Sequence, residues 1–260
     1  MIIVKDWKME IDGKTYSCSP PCSMYSVLIE NNVIQNPYYG LNEDSAKEYS
    51  EKDCTFFAQF DVAENMLNRK FLRLKFNGLD TLCDVYVNGI WFMSAKNFHR
   101  YYDADASRVI RKGRNTIEIR FYSPTRFIRE AQDKYYLWDC GCEDGKHGSL
   151  MGIGHIRKPN YSFGWDWGIC LPDMGIWKSV ELDAFDDEIR DFDVRQFHTE
   201  NKVLLKISTE TASGKETAVT LVSPKGKILT ETVTVNGRAE IEIDNPELWW
   251  PNGYGSQPLY

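Results

Sequence analysis

The sequence predicts an all-β protein: a β-sandwich domain followed by an incomplete immunoglobulin-like sandwich. Three observations lead to this fold class. Short runs alternate apolar and polar residues with the period of two that a half-buried strand requires. Turn residues separate these runs at short intervals, and segments with a helical period are few and brief.

In the first part of the chain, strands are predicted where this alternation coincides with β-branched or aromatic residues. The clearest runs are residues 55–62, 71–76, 83–87, 115–122 and 178–184. Asn88-Gly89 predicts a tight hairpin turn, because both residues tolerate positive φ. Residues 23–30 form a short helical segment, and residues 123–134 are expected to form one or two further turns.

The polar segment 185–188 (FDDE) predicts a boundary between domains at 1–185 and 186–260. Five evenly spaced strands are predicted beyond it, at residues 189–198, 202–210, 217–223, 227–235 and 238–243. Because an immunoglobulin-like sandwich has about seven strands, the second domain is predicted to be truncated and the chain to be a fragment. The edge after the fifth strand is expected to be unpaired and to invite self-association.

Composition and charge exclude several classes of protein. The 260 residues are 42% hydrophobic and 27% charged, which is ordinary for a folded domain. A net charge of −7 argues against a nucleic-acid partner, because such proteins present a basic face. No signal-peptide pattern and no apolar run of about 18 residues is visible, so neither secretion nor a membrane span is predicted.

The seven cysteines have an odd count and irregular spacing, which predicts free thiols in a reducing cytoplasm. Cys140, Cys142 and His147 are close in sequence, but no second Cys or His pair completes a tetrahedral metal site. No glycine-rich phosphate loop appears either. We therefore expect no metal ion and no cofactor.

Four stretches of the chain resemble, in the same order, segments of the family 2 β-mannosidases, which are glycoside hydrolases. They are residues 34–43 (IQNPYYGLNE), 76–88 (FNGLDTLCDVYVN), 156–177 (IRKPNYSFGWDWGICLPDMGIW) and 246–260 (PELWWPNGYGSQPLY). The resemblance implies a jelly-roll-like, galactose-binding-domain-like sugar-binding domain at 1–185 and a truncated immunoglobulin-like domain at 186–260. It also implies a catalytic TIM barrel beyond the C-terminus.

The resemblance further implies an activity that this chain does not perform alone. Family 2 β-mannosidases are retaining, exo-acting enzymes that release terminal β-linked mannose with two glutamates about 5 Å apart. Both glutamates are expected in the missing barrel, so no catalytic residue is assigned here. The expected partners are a terminal β-linked sugar and the protein's own barrel domain, and the chain is expected to supply one wall of the sugar pocket.

The resemblance identifies Trp165-Asp166-Trp167 as the substrate-binding segment. In the family the matching loop reaches into the sugar pocket, where Asp166 would accept hydrogen bonds from hydroxyl groups and an indole would cover a ring face. Gly164 and Gly168 are expected to permit a sharp turn. From the residues alone, the alternative is that both tryptophans share one strand parity and lie in the core, with Asp166 on a solvated face.

Arg157 and Lys158 also match the family pattern and are candidate supporting residues. A cation near the loop could pair with Asp166 and hold it ionised. The alternative is an ordinary Arg-Lys pair on the surface.

Departures from the family pattern bear on which sugar is bound. Gly168-Ile169 replaces a Gly-Pro, residues 21–25 (PCSMY) replace a Pro-Gly-x-Val-His segment, and residues 54–56 (CTF) replace a Trp-x-Tyr. A β-galactosidase or β-glucuronidase sibling therefore remains an alternative. Two other functions also remain open, a free-standing carbohydrate-binding module and an interaction or scaffold protein.

Overall fold

The computed structural model describes residues 1–138, 141–143, 145–166 and 168–260. They divide into two compact units, Met1–Ala184 and Phe185–Tyr260. The division falls one residue before the boundary that the FDDE segment predicts. Strands dominate both units, so the predicted all-β fold class is confirmed.

Short strands outnumber helices in the described part of the first unit. In chain order they are Ile2–Ile3 (β1), Trp7–Ile11 (β2), Lys14–Cys18 (β3), Cys22–Ser23 (β4), Cys54–Val62 (β5), Phe71–Phe76 (β6), Leu79–Asp80 (β7), Leu82–Val87 (β8), Ile90–Lys96 (β9), Tyr102–Asp105 (β10), Gly113–Phe121 (β11), Phe163–Trp165 (β12), Gly168–Cys170 (β13), Gly175–Ile176 (β14) and Val180–Phe185 (β15). The helices are Met24–Glu30 (α1), Asn42–Lys47 (α2), Glu64–Leu67 (α3) and Pro124–Lys134 (α4), with 3₁₀ turns at Glu48–Glu51, Ile153–His155 and Asn160–Ser162.

The core of the first unit lies between two sheets. One has six strands in the order β3-β2-β5-β11-β8-β9, and the other has four in the order β1-β15-β6-β10. Alternate residues of these strands point inward, as in β5, where every second side chain is buried. Phe56 and Phe121 meet edge to face across the β5–β11 pair, with ring centroids 5.6 Å apart. Burying one such side chain stabilises the folded state by roughly 1.5–3 kcal/mol. The alternating apolar residues therefore favour a fold in which one face of each sheet is covered by the other sheet.

Local sequence signals account for the connections as well. Asn88 and Gly89 join β8 to β9 with φ angles of 52° and 78°, which confirms the predicted hairpin turn. α4 is longer than the one or two turns expected. Ser123 caps it, since its Oγ accepts a hydrogen bond from the Arg126 N–H at 2.9 Å, and Pro124 occupies the first turn.

The second unit contains the five predicted strands. They are Ile189–His198 (β16), Lys202–Thr211 (β17), Ala218–Val222 (β18), Ile228–Val233 (β19) and Arg238–Asp244 (β20). β16, β17 and β20 form one sheet with β17 in the centre, and β18 pairs with β19. Its small core comprises Val203, Leu205, Ile207, Ile241 and Ile243. Within the described residues β20 is an edge strand, as expected. Its pairing with a second chain stays a prediction, which sedimentation velocity can test.

Two further expectations concern cysteines and membranes. Cys18, Cys22, Cys54, Cys83 and Cys170 are free thiols. Cys140 lies outside the described residues, so the Cys140, Cys142 and His147 group is not described as a whole, and the described residues contain no potential metal cluster. No helix in the described ranges is long and apolar enough to span a membrane.

Candidate functional site

The predicted substrate-binding segment lies at the end of a small hairpin formed by β12 and β13. Phe163 pairs with Cys170, and Trp165 pairs with Gly168. Asp166 therefore occupies the connection between the two strands, and its side chain is exposed to solvent. Trp165 is half-buried. Trp167, the third predicted residue, lies outside the described residues.

The base of the hairpin is anchored in a separate apolar cluster. Phe163 and Cys170 are fully buried there, against Ile128 of α4 and against Leu150 and Ile156. The Leu171 N–H donates to the Ser162 carbonyl at 2.9 Å and continues the pairing beyond the strand ends. Because both strands of the hairpin are anchored in this cluster, the exposed tip extends from a well-packed base.

Glu43 of α2 holds the second strand of the hairpin from outside. Its Oε1 accepts a hydrogen bond from the backbone N–H of Cys170 at 2.7 Å. This contact joins residues 127 positions apart in the chain. It also connects the first stretch that carries the family resemblance, 34–43, to the third. Hydrogen bonds to a carboxylate are among the stronger ones, so Glu43 holds the base of the hairpin at Cys170 in place.

A close backbone contact requires glycine at position 164. Gly164 has a φ of 84°, and a Cβ there would lie 2.2 Å from the carbonyl oxygen of Gly145. The facing Gly145 has a φ of 71° and no room for a Cβ beside Cys170 Sγ. At Gly168, by contrast, a Cβ would meet no atom within 4 Å. Of the two glycines expected to shape the turn, only Gly164 lacks the room for a side chain.

The structure gives Lys158 a partner different from the one considered for it. Lys158 is buried, with 5% of its surface exposed, and its ammonium pairs with a carboxylate oxygen of Asp80 on β7. Arg157 is exposed, and its carbonyl oxygen accepts the Phe98 N–H at 2.9 Å. In the described residues neither cation pairs with Asp166. The interpretation that one of them pairs with Asp166 is therefore wrong, and so is a surface position for Lys158.

Asp173 extends the charged region around Lys158. Its Oδ1 accepts backbone N–H bonds from Met174 at 2.8 Å and from Tyr25 at 3.2 Å. Burial raises the pKa of Asp173 to about 6, although a hydrogen bond from the Ser23 side chain, the charge of Lys158 and these backbone bonds oppose the shift. Burial, with the charges of Asp80 and Asp173, also raises the pKa of Tyr161. Lys158 thus forms an ion pair with Asp80, and its charge also acts on the carboxylate of Asp173.

Sequence reasoning did not single out Asp80, Asp173 or Glu43. All three lie inside stretches that carry the resemblance, but the partners of Asp80 and Glu43 are 78 and 127 positions away. Asp173 follows a proline in the segment after the hairpin, and its bond from the Tyr25 N–H joins residues 148 positions apart. Such carboxylates are recognised by their tertiary partners, which no spacing rule supplies.

The β-sandwich with its hairpin at 163–170 places the chain among galactose-binding-domain-like proteins. Residues 7–178 match the family described as "Glycosyl hydrolase 2 galactose-binding domain-like". Because this match covers more than half of the chain, the chain belongs to that family. It corresponds to the non-catalytic N-terminal portion of family 2 β-mannosidase-like enzymes.

Individual relatives agree with this assignment. "Beta-mannosidase B" of Emericella nidulans is 28% identical over 253 residues, which are 92% of this chain and 29% of that protein. "Probable beta-mannosidase" of Caenorhabditis elegans is 28% identical over 281 residues, covering 98% of this chain and 31% of that protein. The chain thus spans about three tenths of the length of these curated relatives.

Solved structures show the same fold. The crystal structure of a β-D-mannosidase from Dictyoglomus thermophilum superposes with a TM-score of 0.83 at 27% identity, covering 98% of this chain and 33% of that one. A β-glucuronidase from Ruminococcus gnavus gives a TM-score of 0.61 at 16% identity, with 95% of this chain and 40% of that one covered. The second likeness shows the fold alone.

Proposed function

We propose that this chain forms one wall of the sugar pocket in a retaining, exo-acting β-mannosidase-like glycoside hydrolase. The two catalytic glutamates lie outside the 260 residues, in a barrel domain of the longer protein. The proposal is supported by relatives about three times as long as this chain, which are β-mannosidases by name. In this arrangement the chain binds and orients sugar, and the barrel performs the chemistry.

The exposed Asp166 at the end of an anchored hairpin is the observation that carries this proposal. A carboxylate accepts hydrogen bonds from two sugar hydroxyl groups, and these bonds are stronger than those between neutral groups. The buried base at Phe163 and Cys170 limits the motion of the tip. A side chain held in this way loses less entropy on binding than one on a free loop.

The test is Asp166→Ala in the longer protein, assayed on nitrophenyl β-mannoside. Loss of charge-assisted hydrogen bonds worth about 1.5–3 kcal/mol should lower kcat/KM by roughly tenfold or more. Asp61→Ala is the matched control, because Asp61 is an exposed aspartate on β5. If the kcat/KM of Asp166→Ala stays within a factor of about two of the control, Asp166 does not contact the substrate.

The chain alone is proposed to be inactive. Glycoside hydrolysis by this mechanism needs an acid/base and a nucleophile positioned together, and both are assigned to the barrel. The purified 260-residue chain should show no turnover of nitrophenyl β-mannoside above a heat-treated sample. Turnover that follows the chain through two different chromatography steps would disprove this assignment.

Mannose is proposed as the preferred sugar over galactose and glucuronic acid. The support is that the named relatives of comparable identity, from a fungus and a nematode, are β-mannosidases. The longer protein should prefer nitrophenyl β-mannoside to the β-galactoside and the β-glucuronide when kcat/KM values are compared. A preference for the β-galactoside or the β-glucuronide would leave the family assignment intact and would show that mannose is not the preferred sugar.

A free-standing binding module is the second candidate, and the galactose-binding-like description of residues 7–178 favours it. Such a module should bind sugar by itself with a Kd between about 1 μM and 1 mM. Half of a pocket should bind far more weakly, because it leaves one side of the sugar in water. Calorimetric titration of the isolated chain with mannose distinguishes a binding module from half of a pocket, with Asp166→Ala as the control. Saturable binding in this range would favour the module.

We also propose a cytoplasmic location for the protein. The free thiols of Cys18, Cys22, Cys54, Cys83 and Cys170 support a reducing compartment. Fractionation of the source cells, with the protein followed by antibody, tests this. Recovery with secreted material, or cysteines that resist alkylation until reduced, would contradict it.

A further inference from the structure

A cleft of about 760 Å³ lies on the first unit, bounded by the loop after β9 and by the segment that joins β14 to β15. Phe98, His99 and Arg100 line one side, and Trp177 and Lys178 line the other. The volume is within the range of about 300–1,000 Å³ that is usual for small-ligand sites. The proposed function makes no use of this cleft.

The basic side chains of the cleft lack acidic partners among the described residues. Arg100 and Lys178 are exposed, as is the imidazole of His99. The guanidinium of Arg100 lies 5.6 Å from the Tyr102 ring centroid, and the Lys178 ammonium lies 4.3 Å from that of Trp177. Within the described part of the chain, none of the three basic residues forms an ion pair. The charges of Arg100 and Lys178 are therefore available to a ligand, in a chain whose net charge is −7.

Two acidic residues nearby are already engaged. Asp103 lies 3.2 Å from a guanidinium nitrogen of Arg73. Glu181 Oε1 accepts hydrogen bonds from Asn77 Nδ2 at 2.9 Å and from Ser179 Oγ at 2.5 Å. Asn77 and Ser179 line the cleft themselves, so they add polar groups to its wall.

An aromatic stack brings the basic residues together from distant parts of the sequence. The rings of Phe98 and Trp177 are parallel within 5°, with centroids 4.5 Å apart. Trp177 packs directly on Gly78, where a Cβ would lie 2.7 Å from its ring, and its backbone N–H donates to the Gly78 carbonyl at 3.2 Å. Arg100 and Lys178 each follow a member of this stack closely in sequence, so a fixed support holds them beside one cleft.

We propose that this cleft binds a ligand bearing an oxyanion, a carboxylate or a phosphate, with Arg100 and Lys178 as its charged contacts. The planar guanidinium can bind two oxygens of such a group at once, and the ammonium adds a point charge. The oxyanion comes either from an acidic sugar, whose hydroxyl groups would meet Asn77 and Ser179, or from a free anion.

Binding to the 260-residue chain is measured by calorimetry and by amide NMR shifts with three probes: glucuronate, glucose and inorganic phosphate. Glucuronate and glucose differ at the carboxylate, so glucuronate should bind and glucose should not. Arg100→Ala and Lys178→Ala should each raise the Kd by about tenfold, as the loss of a charge-assisted contact requires. Raising the salt concentration should weaken binding.

Lys112→Ala is the matched control, since it removes one positive charge from an exposed lysine that pairs with Glu64, away from the cleft. Its Kd should equal that of the unmodified chain. Stronger binding of glucuronate than of phosphate identifies an acidic sugar as the source, and equal binding identifies the oxyanion alone. Both outcomes support the site.

Three outcomes overturn the proposal. One is the absence of saturable binding of both anions, and another is equal binding of glucose and glucuronate. The third is an equal effect of Lys178→Ala and Lys112→Ala on the Kd, which would assign binding to net charge rather than to the cleft. Both substituted side chains are exposed, so thermal melting curves should show all variants folded.

Discussion

Lys158 and Asp80 form a buried ion pair between segments 78 residues apart. Their side chains retain 3% and 12% of their exposed surface, and Asp80 also accepts a hydrogen bond from the Thr81 hydroxyl. The ammonium lies 5.9 Å from the ring centroid of Phe98. The pair therefore joins β7 to the segment that leads into the 163–170 hairpin, and it does so inside the protein.

Removal of one partner should destabilise the fold strongly. Lys158→Met leaves the carboxylate of Asp80 buried without its cation, so we expect the free energy of unfolding to fall by about 3–5 kcal/mol. Combining it with Asp80→Leu removes the uncompensated charge and should recover most of the loss. Urea unfolding followed by tryptophan fluorescence measures both variants.

The neighbouring residue provides the control for this prediction. Arg157→Met removes an exposed cation and should change the free energy of unfolding by no more than about 0.5 kcal/mol. Equal losses for Lys158→Met and Arg157→Met would show that the buried pair contributes nothing particular to stability.

The sequence predicted those features that depend on near neighbours in the chain. Strand alternation and turn residues located β5, the Asn88-Gly89 turn and all five strands of the second unit. It did not predict the partner of Lys158, because an Arg-Lys dipeptide looks the same on a surface and beside a buried carboxylate. The position of Asp166 followed from the resemblance, and its exposure at the hairpin end fits both the sugar contact and the solvated face considered for it.

Gly164→Ala should destabilise the hairpin. The new Cβ would lie 2.2 Å from the Gly145 carbonyl oxygen, in a backbone conformation with φ of 84°. Strain of this kind costs about 1–3 kcal/mol, to which the displacement of Gly145 adds. Gly168→Ala is the control, because its Cβ meets no atom within 4 Å. Thermal unfolding compares the two variants, and an equal fall in Tm would refute the steric argument.

Asp173 should make stability depend on pH in a defined window. Its folded-state pKa of about 6 lies above the value of about 3.9 expected in the unfolded chain. Between these values the folded state binds more protons, so the contribution of this group to stability falls as the pH rises. At about 1.36 kcal/mol per pKa unit, the loss is at most roughly 3 kcal/mol.

Asp173→Asn isolates this contribution, because the amide stays neutral and still offers an oxygen to the backbone N–H groups of Tyr25 and Met174. Relative to the unmodified chain, the variant should gain stability between pH 4 and pH 7, values that bracket the folded-state pKa of about 6. Urea unfolding at both pH values gives the difference. A constant difference would mean that Asp173 titrates normally.

Cys18 should be the first of three compared thiols to react with an alkylating agent. It is half-buried, and a hydrogen bond from the Cys22 thiol lowers its pKa. Burial raises the pKa of Cys54 and of Cys83, both of which lie in the core. Because the thiolate is the reactive form, limiting iodoacetamide at neutral pH should modify Cys18 before the other two.

Peptide mass spectrometry locates the adduct, and Cys18→Ser should abolish the fast reaction. In urea the three thiols should react alike, and earlier modification of Cys54 in the folded chain would contradict the ranking.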